Sequence, residues 1–274
     1  MAKRLPKGNP KFCIIAPTAY LDEFAIKSNR HLVLAHLVDT DPKYAEFYSA
    51  RDRLGDYIIM DNGAFELGES YSPERLVDLG NECGADAIVL PDYPFKPATQ
   101  TIEAAKKWIP EIKSKGFHTF FAPQSEVGDL EGWINGYKWA ASNPDIDIIG
   151  MSILGIPNAM PHLPEAYARV VMTQILIDRG IFNFDKYHHY LGLNAGPALE
   201  IPSLLNMRAL DSCDSSGPVW SAILGHEYTK NADSYLPTRK PKMHVDFNQP
   251  QTKNIATLLR IEHNIEMTLE LFRK

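Results

Sequence analysis

Three stretches decide the fold: Tyr57-Ile58-Ile59-Met60-Asp61, Ala87-Ile88-Val89-Leu90-Pro91-Asp92 and Thr119-Phe120-Phe121-Ala122-Pro123-Gln124. Each is a short apolar run closed by a polar residue. Runs apolar at every position suit strands covered on both faces, as in a parallel sheet. Asp61 and Asp92 lie 31 residues apart, and Asp92 and Gln124 lie 32 apart. That spacing fits one strand plus one helix per unit.

The pattern continues in both directions. Apolar runs fall at 12–16, 31–38, 146–149 (closed by Gly150), 190–193 and 207–210 (closed by Asp211). Helical spacing is expected over 72–83, with Ser72 as N-cap and Pro73 at the first helical position. Further helices are expected over 99–114 and 164–179, and a last one over about 253–273. Eight runs with helices between them predict a single-domain (β/α)₈ TIM barrel spanning 1–274. An open doubly wound sheet is the alternative, but no Gly-x-Gly-x-x-Gly follows a predicted strand.

Composition agrees with a globular chain. Of 274 residues, 45% are hydrophobic and 23% charged, which excludes disordered and collagen-like classes. The 28 basic and 34 acidic residues leave a net charge of −6, so nothing attracts phosphate backbones globally. Cys13, Cys83 and Cys213 are far apart, which points to a reducing compartment and against a Cys-rich zinc site. No long apolar stretch follows the basic N-terminus. A cytoplasmic protein with no membrane contact is therefore expected.

In barrel enzymes, chemistry sits at the C-terminal ends of the strands. The residues that close the runs are therefore the candidates: Asp61 with Asn62, Asp92, Gln124, Gly150 with Met151, and Asp211. Each also has a plainer reading. Asp61-Asn62-Gly63 is strong turn chemistry, Asp92 suits a loop, and Asp211-Ser212-Cys213-Asp214 suits a helix cap.

Taken in order, these segments resemble the tRNA-guanine transglycosylase family over residues 55 to 273. Asp61-Asn62-Gly63-Ala64-Phe65 is similar to its Asp-Ser-Gly-Gly-(Phe/Tyr) motif. The stretch from Gly84 to Asp92, with Pro97-Ala98-Thr99, is similar to its second acidic segment. Phe121-Ala122-Pro123-Gln124, Ile149-Gly150-Met151-Ser152 and Ala209-Leu210-Asp211-Ser212 resemble three later motifs, the last of which holds the nucleophile. The tail from Leu259 to Arg273 is similar to the last helix.

The resemblance implies a TIM barrel that exchanges a nucleobase. Asp211 would be the nucleophile that forms a covalent glycosyl-enzyme, with Asp214 as the alternative if the register is set on Cys213. Asp61 would be the general acid/base. Asp92 would accept from the N1–H and 2-amino group of guanine, Gln124 and the Gly150 backbone would meet its O6 side, and Phe65 and Met151 would sandwich the ring. No cofactor is implied.

Two departures refine this. TRNA-modifying members close a Cys-rich zinc site with a His in the last helix. His263 matches that His, but no cysteine follows Cys213, so no structural zinc is expected. The Arg-rich loop after the nucleophile is also replaced, by Ser215-Ser216-Gly217-Pro218-Val219-Trp220. Basic patches remain only at Arg239-Lys240-Pro241-Lys242 and at Lys3, Arg4 and Lys7. With no appended RNA-binding domain expected, the chain is most similar to the zinc-less, DNA-acting DpdA-type branch. Expected partners are DNA rather than tRNA and a free 7-deazaguanine base, with an oligomer or partner subunit allowed. The alternatives are a tRNA enzyme, a non-catalytic base-binding subunit and an N-glycoside hydrolase.

Overall fold

The structure is a computed structural model that describes residues 2–193, 197–229 and 254–273, without the side chains of Phe65 and Glu66. Eight parallel strands form one sheet in the order β1-β8-β7-β6-β5-β4-β3-β2. They are β1 (Lys11–Ile14), β2 (Arg30–Val33), β3 (Tyr57–Met60), β4 (Ala87–Val89), β5 (His118–Phe121), β6 (Ile148–Gly150), β7 (Tyr187–Tyr190) and β8 (Ser212–Ser215). β1 and β2 lie against each other, so the sheet curls into a nearly closed (β/α)₈ TIM barrel.

The connecting helices follow their caps. Pro73–Cys83 starts where Ser72 Oγ accepts the Arg75 N–H at 3.3 Å, and it ends at Gly84 in the left-handed region. Ala98–Ser114, Glu165–Asp178 and Ile255–Glu270 fall where helical spacing predicts them. No helix among the described residues is long and apolar enough to cross a membrane.

Hydrogen bonds between non-adjacent strands show which side chains fill the cylinder. Tyr57 Oη of β3 reaches His118 Nδ1 of β5 at 2.8 Å, and Arg30 of β2 reaches Tyr187 Oη of β7 at 3.3 Å. Such contacts can only cross the interior. By strand alternation, His189, Ser212 and Asp214 share that inward face. The outward side chains pack beneath the helices, as Phe121 does against Trp139 with ring centroids 4.9 Å apart.

Three predicted strands are corrected. β2 stops at Val33, and the rest of the 31–38 run becomes the helix Ala35–Thr40. A continuous apolar run does not distinguish a buried strand from a buried helix. β7 starts at Tyr187 and includes two histidines, both fully buried, where the sequence places a strand only from Tyr190. β8 is Ser212–Ser215, a run without one aliphatic residue, and the predicted 207–210 strand does not form. A polar strand is stable here because Ser212 and Asp214 bond partners inside the barrel and Ser215 Oγ accepts the Gly217 N–H.

Candidate active site

The change at β8 moves Asp211 to the other end of the barrel. It precedes the strand, so it lies at the N-terminal end, whereas Asp61 follows β3 at the C-terminal end. Asp211 Oδ2 accepts the His188 N–H at 2.9 Å, and Oδ1 accepts the Gly8 N–H at 3.4 Å. Its carbonyl accepts from Arg30 at 2.9 Å. Both carboxylate oxygens hold backbone, and this is a structural arrangement. The placement of Asp211 among the C-terminal carboxylates is therefore corrected.

Two other aspartates show the same construction. Asp86 immediately precedes β4 and accepts the N–H of Ile58, the second residue of β3, at 2.9 Å. Asp147 immediately precedes β6 and accepts the N–H of Thr119, the second residue of β5, at 2.9 Å. Asp211 does this for His188, the second residue of β7. A carboxylate before each of these even-numbered strands locks the start of the strand before it.

At the C-terminal end, the loop after β3 begins with Asp61. Its Oδ2 accepts the Gly63 N–H at 3.1 Å, and Asn62 Oδ1 accepts the Ala64 N–H at 2.9 Å. Gly63 has φ +80°, which a residue with a Cβ adopts only with strain. The predicted turn chemistry is therefore present, and it fixes the direction of Asn62. Asn62 Nδ2 donates to Leu90 O at 3.0 Å and to Asp92 Oδ1 at 2.7 Å.

Gln124, after β5, donates to Asp92 Oδ2 at 2.6 Å. The loops after β3, β4 and β5 thus meet on one carboxylate. Burial pushes the Asp92 carboxyl above its ordinary range, and the two amide donors oppose that shift. Asn62 and Gln124 are buried, while Asp92 is half-buried. Gln124 Oε1 is buried with no hydrogen-bond partner among the described residues. An ionised Asp92 orients this amide, so Gln124 presents an acceptor and not the donor that a purine O6 needs.

Asp214 completes this end from β8. Its Oδ1 accepts the Gly192 N–H at 2.9 Å and faces His189 Nε2 at 2.9 Å. Gly192 has φ +72°, and a Cβ there would meet Ile153. Asp214 Oδ2 has no hydrogen-bond partner among the described residues.

One buried ion pair frames the β6 and β7 exits. Arg169 and Glu200 are both fully buried and paired twice at 2.7 Å. Arg169 also donates to Met151 O at 3.0 Å, Leu191 O at 2.8 Å and Gly192 O at 2.7 Å. All five guanidinium donors are used, and the Gly192 peptide that serves Asp214 is held in place.

The remaining candidates divide. Gly150 ends β6 against the Phe120 ring, which a Cβ would strike. Met151 is fully buried in the core and offers no surface to a base, so its sandwiching role is corrected. Phe65 lies on the helical turn Ala64–Leu67, with its side chain outside the described residues. Around this end Leu67, Tyr93, Phe95, Val127 and Leu154 are exposed, and Phe95 sits at φ +64°. Exposed apolar side chains grouped at one end of a barrel suit a planar or apolar ligand.

Sequence reading missed His189, Gly192, Arg169 and Glu200. A usable signal was the repeated aspartate of Ala85-Asp86-Ala87, Ile146-Asp147-Ile148 and Leu210-Asp211-Ser212, which aligned together start β8 at Ser212. Of the basic candidates, Lys3 bonds Asp52 at 2.5 Å and Asp86 at 3.1 Å. Lys7 donates to the carbonyls of Phe184 and Lys186. Both are engaged at the N-terminal end. Arg239-Lys240-Pro241-Lys242 lies outside the described residues. His263 Nε2 bonds Tyr228 O at 2.8 Å, and no cluster of three His, Cys, Asp or Glu is gathered among the described residues. Neither a protein-family profile nor a curated protein sequence matches this chain.

Proposed function

We propose that the protein is a base-exchange transglycosylase that replaces guanine in DNA with a 7-deazaguanine, using Asp214 rather than Asp211 as nucleophile. The observation that carries this reading is the placement of Asp61, Asp92 and Asp214 at the C-terminal ends of three strands of one barrel, with Asp92 clasped by Asn62 and Gln124.

The chemistry follows from those groups. A lone pair of Asp214 Oδ2 attacks C1′ of the target nucleoside, and the C1′–N9 bond breaks with its electron pair going to guanine. Asp61 gives that base a proton, which leaves a carboxylate ester at C1′. The incoming base then attacks C1′ through its own ring nitrogen, returns a proton to Asp61 and releases Asp214. Asp92 favours guanine-type bases because a carboxylate pairs with two adjacent donors. Adenine would leave a buried acceptor such as Gln124 Oε1 without a donor. A target base in duplex DNA must be flipped to reach these groups, and the exposed aromatic Phe95 suits stacking on neighbouring bases.

The test is incubation with radiolabelled 7-deazaguanine and either duplex DNA or tRNA. Label is expected in DNA, together with an Asp214-linked adduct on denaturing gels. Label in tRNA alone would overturn the choice of nucleic acid. Abasic sites without incorporation would replace exchange by hydrolysis.

A further inference from the structure

A chain of side-chain hydrogen bonds runs through the barrel interior to Asp214. Arg30 Nη1 lies 3.3 Å from Tyr187 Oη, and Tyr187 Oη donates to Ser212 Oγ at 2.9 Å. Ser212 Oγ lies 2.6 Å from His189 Nδ1, and His189 Nε2 lies 2.9 Å from Asp214 Oδ1. All five residues are buried, His189 completely, and the Phe120 ring packs edge-on against its imidazole at 5.6 Å.

The two ends of this chain fix its direction. A guanidinium only donates, and a carboxylate only accepts. Arg30 therefore donates to Tyr187, Tyr187 to Ser212, Ser212 to Nδ1 of His189, and His189 to Asp214. Each hydroxyl then donates once and accepts once. This assignment leaves the imidazole proton on Nε2. With the proton on Nδ1, Asp214 would face a bare nitrogen lone pair, and Ser212 would receive two donors.

We infer that His189 is a positioning residue that holds Asp214 through one oxygen, and that the Arg30–Tyr187–Ser212 chain fixes His189 as the Nε2–H tautomer. Gly192 N–H and His189 both bind Oδ1, so Oδ2 is the oxygen left to react. The role of Oδ2 rests on the exchange reading above, while the tautomer does not. The geometry differs from a Ser-His-Asp hydrolase triad: here Ser212 is fully buried and the carboxylate stands at the open end.

Nitrogen-15 NMR of histidine-labelled protein tests the tautomer without any activity, with His189→Gln used to assign the signal. An Nε2–H imidazole whose Nδ1 accepts a hydrogen bond is expected near neutral pH. Ser212→Ala should move the Nδ1 shift. An Nδ1–H signal would overturn the inference even in an enzyme that exchanges bases. For the positioning role, His189→Phe should lower kcat about 10²-fold, the scale of a misplaced reacting group, with KM for the base unchanged. His189→Gln, which keeps a donor near Asp214, should recover most of that loss. Equal losses in both variants, or a change confined to KM, would refute positioning. The expected tautomer without exchange would instead reject only the reading of Oδ2.

Discussion

The two ends of this barrel carry the same residue type and use it in opposite ways. At the N-terminal end, Asp86, Asp147 and Asp211 accept backbone N–H groups of neighbouring strands. At the C-terminal end, Asp92 and Asp214 are held by side-chain donors, joined at Asp214 by the single Gly192 N–H. A carboxylate that accepts strand N–H groups secures the ladder. One held through a single oxygen, or only by side-chain amides, keeps capacity for a ligand. The lesson is that an aspartate beside a strand is interpreted by which end it occupies, and one strand's misplacement reverses that interpretation.

The largest effect should separate Asp214 from Asp211. Asp214→Asn is expected to reduce base exchange by at least about 10³-fold and to abolish the covalent adduct, with the thermal midpoint little changed. Asp211→Asn should still form the adduct. An adduct lost from Asp211→Asn and kept by Asp214→Asn would reverse the assignment of the two ends.

Next in size is the rivet under the β6 and β7 exits. Arg169→Met leaves Glu200 buried without its cation, and urea unfolding should show a loss of about 3–5 kcal/mol. A loss below 1 kcal/mol, roughly the scale of a surface pair, would show that the pair is not dry.

The N-terminal aspartates should give smaller, uniform losses. Asp86→Ala, Asp147→Ala and Asp211→Ala each strand a backbone N–H, and each is expected to cost about 1–3 kcal/mol. A near-zero loss at Asp211 alone would break the likeness among the three.

Acid should distinguish the ends further. Burial raises the Asp92 carboxyl, and the proposed recognition of a guanine-type base needs the charged form. Base affinity, followed by calorimetry, should therefore fall with acid before pH reaches the ordinary value of 3.8. Asp92→Asn should bind weakly and without that limb.

A separate effect, read as a slope of stability against pH, belongs to His188, whose ring faces the helices and bonds Tyr137 Oη at 2.9 Å. Burial lowers its pKa from 6.5 to about 3. The unfolded chain takes up that proton first, so stability is present above 6.5 and is lost as pH falls toward 3. The slope is at most about 1.4 kcal/mol per pH unit, and it should be shallower in His188→Phe.

Much of the fold was legible because β3, β4 and β6 are apolar on both faces and β1, β2 and β5 are largely so. β3, β4 and β5 stand where their runs predict, and 31- and 32-residue spacings leave room for little except βα units. The triad Asn62, Asp92 and Gln124 was legible for the same reason, since each follows a well-marked strand. β7 and β8 were not legible. Tyr-His-His-Tyr and Ser-Cys-Asp-Ser have no hydrophobic signature, and they become strands only because interior hydroxyls, imidazole and carboxylate satisfy one another.

By itself, then, the sequence determined a repeating strand-and-helix barrel and the polar residues that close its apolar strands. Periodicity and spacing are local, and they survive without knowledge of any partner. Only the tertiary structure decided which aspartate of the β8 segment faces the C-terminal end, and that His189 and Arg169 support that end. Those facts depend on hydrogen bonds between residues 18 to 181 positions apart, which no local pattern encodes.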